Sequence, residues 1–204
     1  MAFTNTPLYG GAITLDLPSN FDDASQIRQI PDHQEVYLDS DGYSSIVVEI
    51  LEYVEKSNDE EALQYHFGDL VEGTGDQTTI ISQDRAVIKS LPYVPSSITR
   101  KENQSEGMVE DNSVLTLSFI QTPPTPNPHP NRKTPEFTYI HLILLRLKDQ
   151  GTDIMISINI PHYPGEYTPA EEQGGETPLM KDSKAVREKV LESFRVKEWG
   201  LFEG

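Results

Sequence analysis

Hydrophobic and polar positions alternate most cleanly towards the C-terminal side of the chain. Ile154, Ile156, Ile158 and Ile160 alternate with Met155, Ser157 and Asn159, a period-two pattern that predicts a strand over Asp153 to Ile160 with one core face and one mixed face. The preceding run, Phe137 to Lys148, also reads as a strand. Asp149-Gln150-Gly151 between them fits a hairpin turn, and Pro161 predicts the end of the pair. Leu115, Leu117 and Phe119 alternate with Thr116 and Ser118, which predicts another strand over Ser113 to Gln121. Thr79-Ile80-Ile81 and Ala86-Val87-Ile88 predict one or two strands within residues 77 to 91.

Helical spacing occurs in four places. Val186, Val190, Leu191 and Phe194 give an inward stripe over Ser183 to Phe194. Leu63, His66, Phe67 and Leu70 form a second stripe, opened by Ser57 and Glu60 at capping-box spacing. His66 on that stripe reads as a core histidine, because no HExxH pattern accompanies it. Ile46, Val47, Ile50, Leu51 and Val54 also recur at helical spacing, predicting a helix over Ser45 to Glu55, although their β-branched content argues for a strand. A one-turn helix over Ala24 to Ile30 is predicted by Asp22 or Asp23 as N-cap and Pro31 as stop. Tyr9 to Leu15 reads as a strand whose Gly10 and Gly11 suggest a bulge, and Val36 to Leu38 as a strand entered through Asp32, Gln34 and Glu35. The segments Pro92 to Asn112, Thr122 to Pro135 and 162 to 181 read as loops, the second a Pro-rich tract that cannot join a sheet. Trp199, Leu201 and Phe202 either cap the core or mark a contact site. The element order describes an α+β fold, a largely antiparallel sheet covered by helices.

Composition narrows the chemistry. The 204 residues suit one domain with a real core. There is no cysteine, so disulfides, thiolate metal sites and cysteine nucleophiles are excluded. No signal peptide and no span of about 18 apolar residues is evident. The net charge is −17, which disfavours nucleic acid and anionic membrane as partners and favours a basic protein. Residues 22 to 72 hold 14 acids against Arg28 and Lys56 alone. Asp39-Ser40-Asp41-Gly42 is a turn and not a calcium loop: the sixth position is Ser44 and the twelfth Ile50, where Gly and Glu are required. Phosphate-loop, dinucleotide, nucleophile-elbow and kinase motifs are absent, and the five histidines are scattered. No catalytic, cofactor or metal residue is therefore expected.

Four stretches carry a family resemblance: LYGGAI from Leu8, FDDASQIRQIPDHQEV from Phe21, SIVVEILE from Ser45 and ALQYHFGDL from Ala62. In that order the chain resembles the Ran guanine-nucleotide release factors, the Mog family, in a fungal-type form. The match is strongest over residues 8 to 70 and fainter in 114–120 and 138–161. The resemblance implies an α/β/α sandwich of the Mog–PsbP-like type spanning residues 1–204 as a single domain, with loops at about 92–112 and 122–135. It implies binding to Ran, release of its nucleotide with GTP favoured, a role in nuclear import, and residence in nucleus and cytoplasm. It carries Asp32 and Glu35 forward as central partner contacts, flanked by Asp23, Arg28 and Gln34, on a monomer without cofactor or metal. Other Ran-binding proteins are possible further partners. On that reading Glu35→Lys abolishes Ran binding and leaves the fold intact. Gly68 departs from the family, which usually carries an acid there. The rival reading is an acidic adaptor that binds a basic partner with no effect on nucleotide.

Overall fold

The computed structural model describes residues 1–91, 113–124 and 133–202. The expected loop at 92–112, and residues 125–132 of the Pro-rich tract, lie outside the described residues. The chain opens with β1 (Phe3–Leu8) and β2 (Ile13–Pro18), which pair antiparallel around a tight turn. Next come β3 (Phe21–Asp23), β4 (Gln34–Asp39), β5 (Ser45–Glu52), helix α1 (Asp59–Val71) and β6 (Gln77–Val87). The strands β7 (Ser113–Thr122), β8 (Phe137–Leu147) and β9 (Thr152–His162) lead to helix α2 (Pro178–Ser193) and the short β10 (Arg195–Val196). Strands β3 to β9 form a seven-stranded antiparallel sheet in the order β3-β4-β5-β9-β8-β7-β6, and a smaller sheet has the order β1-β2-β10.

The central strands β7, β8 and β9 are buried on both faces, whereas the edge strand β6 is largely exposed. On one face Ala62 and Leu63 of α1 meet Leu117, Phe119, Leu142 and Met155, with Phe67 edge-on to Phe119 at 4.9 Å between ring centroids. On the other face Met180, Val186, Val190 and Leu191 of α2, together with Leu8, Ile13, Leu15 and Leu17 of the small sheet, cover Ile46, Val48, Ile143, Ile156 and Ile158. This is the expected helix–sheet–helix layering, with the small sheet sharing the layer of α2. Burial of such aliphatic side chains at about 1.5–3 kcal/mol each is the main favourable term. Trp199, Leu201 and Phe202 are partly buried and pack against the second core.

Polar side chains inside these layers are paired, as burial demands, with Arg187 Nε on α2 the exception among the described residues. Asp153, fully buried, accepts from Arg146 at 3.1 Å, contacts His66 Nε2 at 2.9 Å and accepts the Val54 N–H, pinning α1 to the sheet. His141 Nε2 lies 3.0 Å from Ser183 Oγ, which itself donates to the Met180 carbonyl. Ser183 must therefore accept from Nε2–H, and Ser118 donates to Nδ1 at 2.8 Å, which makes His141 a neutral imidazole bridging sheet and α2. Burial first, then the charges of Arg187 and Lys184, hold its pKa down at about 3. His162 donates from Nδ1 to the Ile160 carbonyl, and Thr177 donates to its Nε2 at 2.7 Å. Burial holds His162 below the ordinary range, against the opposing pull of that carbonyl and of Glu136.

Several expectations fail locally. Ser45 to Glu55 is not a helix but contains β5, because Ile46, Val47, Val48 and Ile50 sit between β4 and β9 and alternate in burial. The helical spacing there was a by-product of two apolar faces in one strand. Tyr9 to Leu15 is not one strand. Tyr9–Gly11 forms a 3₁₀ turn with φ of 49°, 66° and 99°, and the strand begins at Ile13. The helix over Ala24 to Ile30 shortens to a 3₁₀ turn at Ala24–Gln26. Only Ala24 of that stretch is buried and Ile27 is 76 % exposed, so no apolar face supports a longer one. The cap of α1 is Asn58, whose side chain accepts the Glu61 N–H, one residue after the expected Ser57. α2 begins at Pro178 rather than Ser183, capped by Thr177, because proline suits the first helical turn. Pro161 does not end β9. The His162 carbonyl faces β8, where it accepts from Glu136, so Pro161 faces the opposite edge, beyond the last β5 pair at Ser45–Asn159.

Candidate functional site

The entry to β4 is where the sequence-derived candidates meet. Asp23, Asp32, Gln34 and Glu35 line one shallow cleft of about 310 Å³, joined by Tyr9 and Ile30. Arg28 does not line it. It lies exposed on the stretch between the Ala24–Gln26 turn and Pro31, with its backbone N–H bonded to the Ala24 carbonyl.

Each acid is positioned by a different device. Asp23 ends β3 and caps the following 3₁₀ turn, accepting the Ser25 N–H at 2.8 Å and the Ser25 hydroxyl at 2.6 Å. Partial burial pushes its carboxyl up, but these hydrogen bonds and one from Gln26 prevail and hold it below the usual range. Gln34 faces Glu49 across the β4–β5 pair and donates to its carboxylate. Glu35 Oε1 accepts the Tyr9 N–H at 2.7 Å, 26 residues earlier in the chain. Asp32 is exposed on the lip. Among the described residues no ion pair reaches Asp23, Asp32, Glu35 or Glu49. The cleft thus presents acceptors without an internal cation.

Tyr9 is the residue that sequence reasoning missed. Its left-handed backbone, followed by two glycines, aims its N–H at Glu35, and its hydroxyl donates to the Val48 carbonyl at 2.7 Å and the His33 carbonyl at 3.1 Å. Burial first, then Glu35 and Glu49, push the phenol well above its ordinary range. Tyr37 behind the cleft is pushed up to about 12 by burial, Glu35 and Asp23. Both phenols stay protonated and neutral. The signal in the sequence was the YGG tripeptide, which read as a bulge rather than as a turn that reaches across to β4.

Chemically the cleft can receive a cationic or hydrogen-bond-donating group. Among the described residues no group of three or more His, Asp or Glu side chains is arranged to hold a metal ion. No helix of the described residues is long and apolar enough to cross a membrane.

Comparison with known proteins gives this geometry a context. A sequence model of the family described as "Ran-interacting Mog1 protein" matches residues 6–161. The chain is 31 % identical to the "Probable ran guanine nucleotide release factor" of Dictyostelium discoideum, over 98 % of this chain and 96 % of that protein. It is 28 % identical to the "Ran guanine nucleotide release factor" of Danio rerio, over 96 % of this chain and 98 % of that one. The "Nuclear import protein MOG1" of Saccharomyces cerevisiae is 33 % identical over 76 % of this chain and 64 % of its own length. The solved structure of the Saccharomyces cerevisiae Ran-binding protein Mog1p superposes with a TM-score of 0.69 at 26 % identity, covering 99 % of both chains.

Proposed function

Because the chain belongs to the Mog1 family of Ran-interacting proteins, we propose that it binds the small GTPase Ran and promotes release of its guanine nucleotide, GTP foremost, in support of protein import into the nucleus. The names of its relatives support the partner and the activity. The acidic cleft supports the location: four of the five residues singled out from the sequence share it, with no internal cation among the described residues to neutralise them. The chain acts as a regulator that makes and breaks no covalent bond, as a monomer, in nucleus and cytoplasm.

The mechanism is linkage. Nanomolar to picomolar nucleotide binding corresponds to about −12 to −16 kcal/mol. A protein that prefers the empty GTPase weakens nucleotide binding by the same factor as nucleotide weakens its own. A lysine or arginine of Ran enters the cleft and donates to Asp32 and to Glu35 Oε2, while Oε1 stays on the Tyr9 N–H. Gln34 and Asp23 complete the acceptor wall, and Arg28 flanks it, free to meet an acid of the partner.

Glu35→Lys, the obvious charge reversal, also breaks the Tyr9 anchor and so tests the fold together with the contact. Asp32→Ala combined with Glu35→Gln removes both charges and keeps an oxygen for the Tyr9 N–H. The test is release of a fluorescent guanine nucleotide from purified Ran. The expected result is acceleration by the native chain and at least a tenfold loss in the double variant. No acceleration by the folded native chain overturns the release-factor reading. Undiminished acceleration by the variant overturns the assignment to the cleft.

A further inference from the structure

A second built site lies at the far end of β4, about 17 Å along the strand from Gln34 at some 3.3 Å per residue. Two tight turns face each other there. In the β4–β5 connection, the Asp41 N–H bonds to the Asp39 side chain and the Asp39 N–H to the Ser44 carbonyl, which orients Tyr43. Gly42 leaves room for the Asp39 carboxylate, which would have to shift if a Cβ were placed there, 2.5 Å away. After β9, Tyr163-Pro164-Gly165-Glu166 closes with the Glu166 N–H on the Tyr163 carbonyl and Gly165 at φ 77°, the pattern of a type II turn. The Tyr43 and Tyr163 rings stand 4.5 Å apart at 54°. The Lys133 ammonium sits 4.2 Å from one ring centroid and 4.8 Å from the other, and donates to the Tyr43 hydroxyl and the Glu166 carboxylate.

We propose that Tyr43, Tyr163 and Glu166 form a cation cage, plugged by the chain's own Lys133, whose external ligand is the alkylammonium group of a lysine on a basic partner. Two aromatic faces and a carboxylate around one ammonium are the elements of cation–π recognition. The backbones of both turns close without Lys133, the two rings touch each other, and Tyr43 also hydrogen-bonds the Glu166 carboxylate, so the cage has contacts of its own that do not involve the lysine. Withdrawal of Lys133 therefore leaves a formed, empty receptor. The plug competes as a tethered ligand, with an effective concentration in the millimolar range typical of short tethers. Glu166 first, then Tyr43, raises the Lys133 pKa, in keeping with a cage that favours the charged ammonium. Neutralising Lys133 by acylation, or outcompeting it with a partner lysine, opens the site. The site is independent of the Asp32–Glu35 cleft and of the Ran reading.

The test uses the full chain with ¹³C-labelled tyrosine and titration with tetramethylammonium chloride, against sodium chloride at equal ionic strength. Tyr43→Leu and Tyr163→Leu assign the two ring signals, and the other seven of the nine tyrosines report on the fold. In Lys133→Ala, or in Lys133→Gln should the alanine variant misfold, both ring signals are expected to shift saturably. The half-saturation should be at least tenfold lower than in the native chain. Adding Tyr43→Leu should abolish the response. No saturable shift in the Lys133 variants, equal half-saturation with and without the lysine, or a response that persists without Tyr43 each overturns the proposal.

Discussion

Glu35 carries two duties within one carboxylate, and the two can be separated. Its Oε1 satisfies the Tyr9 N–H, so Glu35→Lys leaves a part-buried donor without an acceptor, at a cost of about 1–3 kcal/mol. Glu35→Gln keeps the acceptor and should stay within about 1 kcal/mol of the native chain by urea denaturation. Nothing in the PDHQEV tract announced this, because the partner lies 26 residues away and contributes a backbone group that any residue type would supply. Asp23, in contrast, was legible as a cap, since its partner Ser25 is two residues on. The buried histidines make a second residue-scale prediction. His141 and His162 are neutral in the fold but accept a proton near pH 6.5 when unfolded. Below that value the unfolded chain binds more protons, so stability present at neutral pH falls as the pH drops. For His141 the loss continues towards about pH 3, at up to ~1.4 kcal/mol per pH unit. Urea midpoints at pH 7 and pH 5 should show the decline, and His141→Gln should flatten it.

At the level of elements, β7 and β9 could be read directly from alternation in the sequence, and β8 from its apolar run before a hairpin turn. β5 could not, because Val47 and Leu51 on its half-buried face interrupt the polar phase that Ser45 and Glu49 would set, and its apolar run imitates a helix. α1 was recognisable from its stripe, and two substitutions probe what sets its limits. Asn58→Ala removes the acceptor for the Glu61 N–H and should cost about 0.5–2 kcal/mol. Gly68 is exposed, its backbone is not left-handed, and a Cβ added there would meet no atom within 4 Å. Gly68→Ala should therefore stabilise the chain by about 0.5–1 kcal/mol. Both are read from denaturant midpoints, with helix content followed by circular dichroism. β1 was invisible beforehand: Asn5, Thr4 and Pro7 give it no apolar face, and it forms because β2 offers an edge.

For the molecule as a whole, charge and layering were legible and the assembly of the site was only partly so. Net charge −17 follows from composition, and the layers follow from which strands are apolar on both faces. Which loop folds over which strand does not follow, since it depends on the Tyr9 turn. A field of this sign should speed encounter with a basic partner, by roughly 10- to 1000-fold at low ionic strength. The association rate with Ran measured by stopped flow should fall steeply between low and high salt, while the dissociation rate changes little. A salt-independent association rate would mean that the acidic face does not steer the encounter.

The small sheet has a mechanical consequence. β1 and β10 flank β2, each antiparallel to it, so they run parallel to one another. Phe3 lies against Pro18 at one end of β2 and Val196 against Ile13 at the other. Tension applied between residues 3 and 196 would therefore slide the three strands lengthwise, and their rungs would have to yield together instead of unzipping in turn. The layer that closes the larger core is thus oriented to resist being pulled apart along that line.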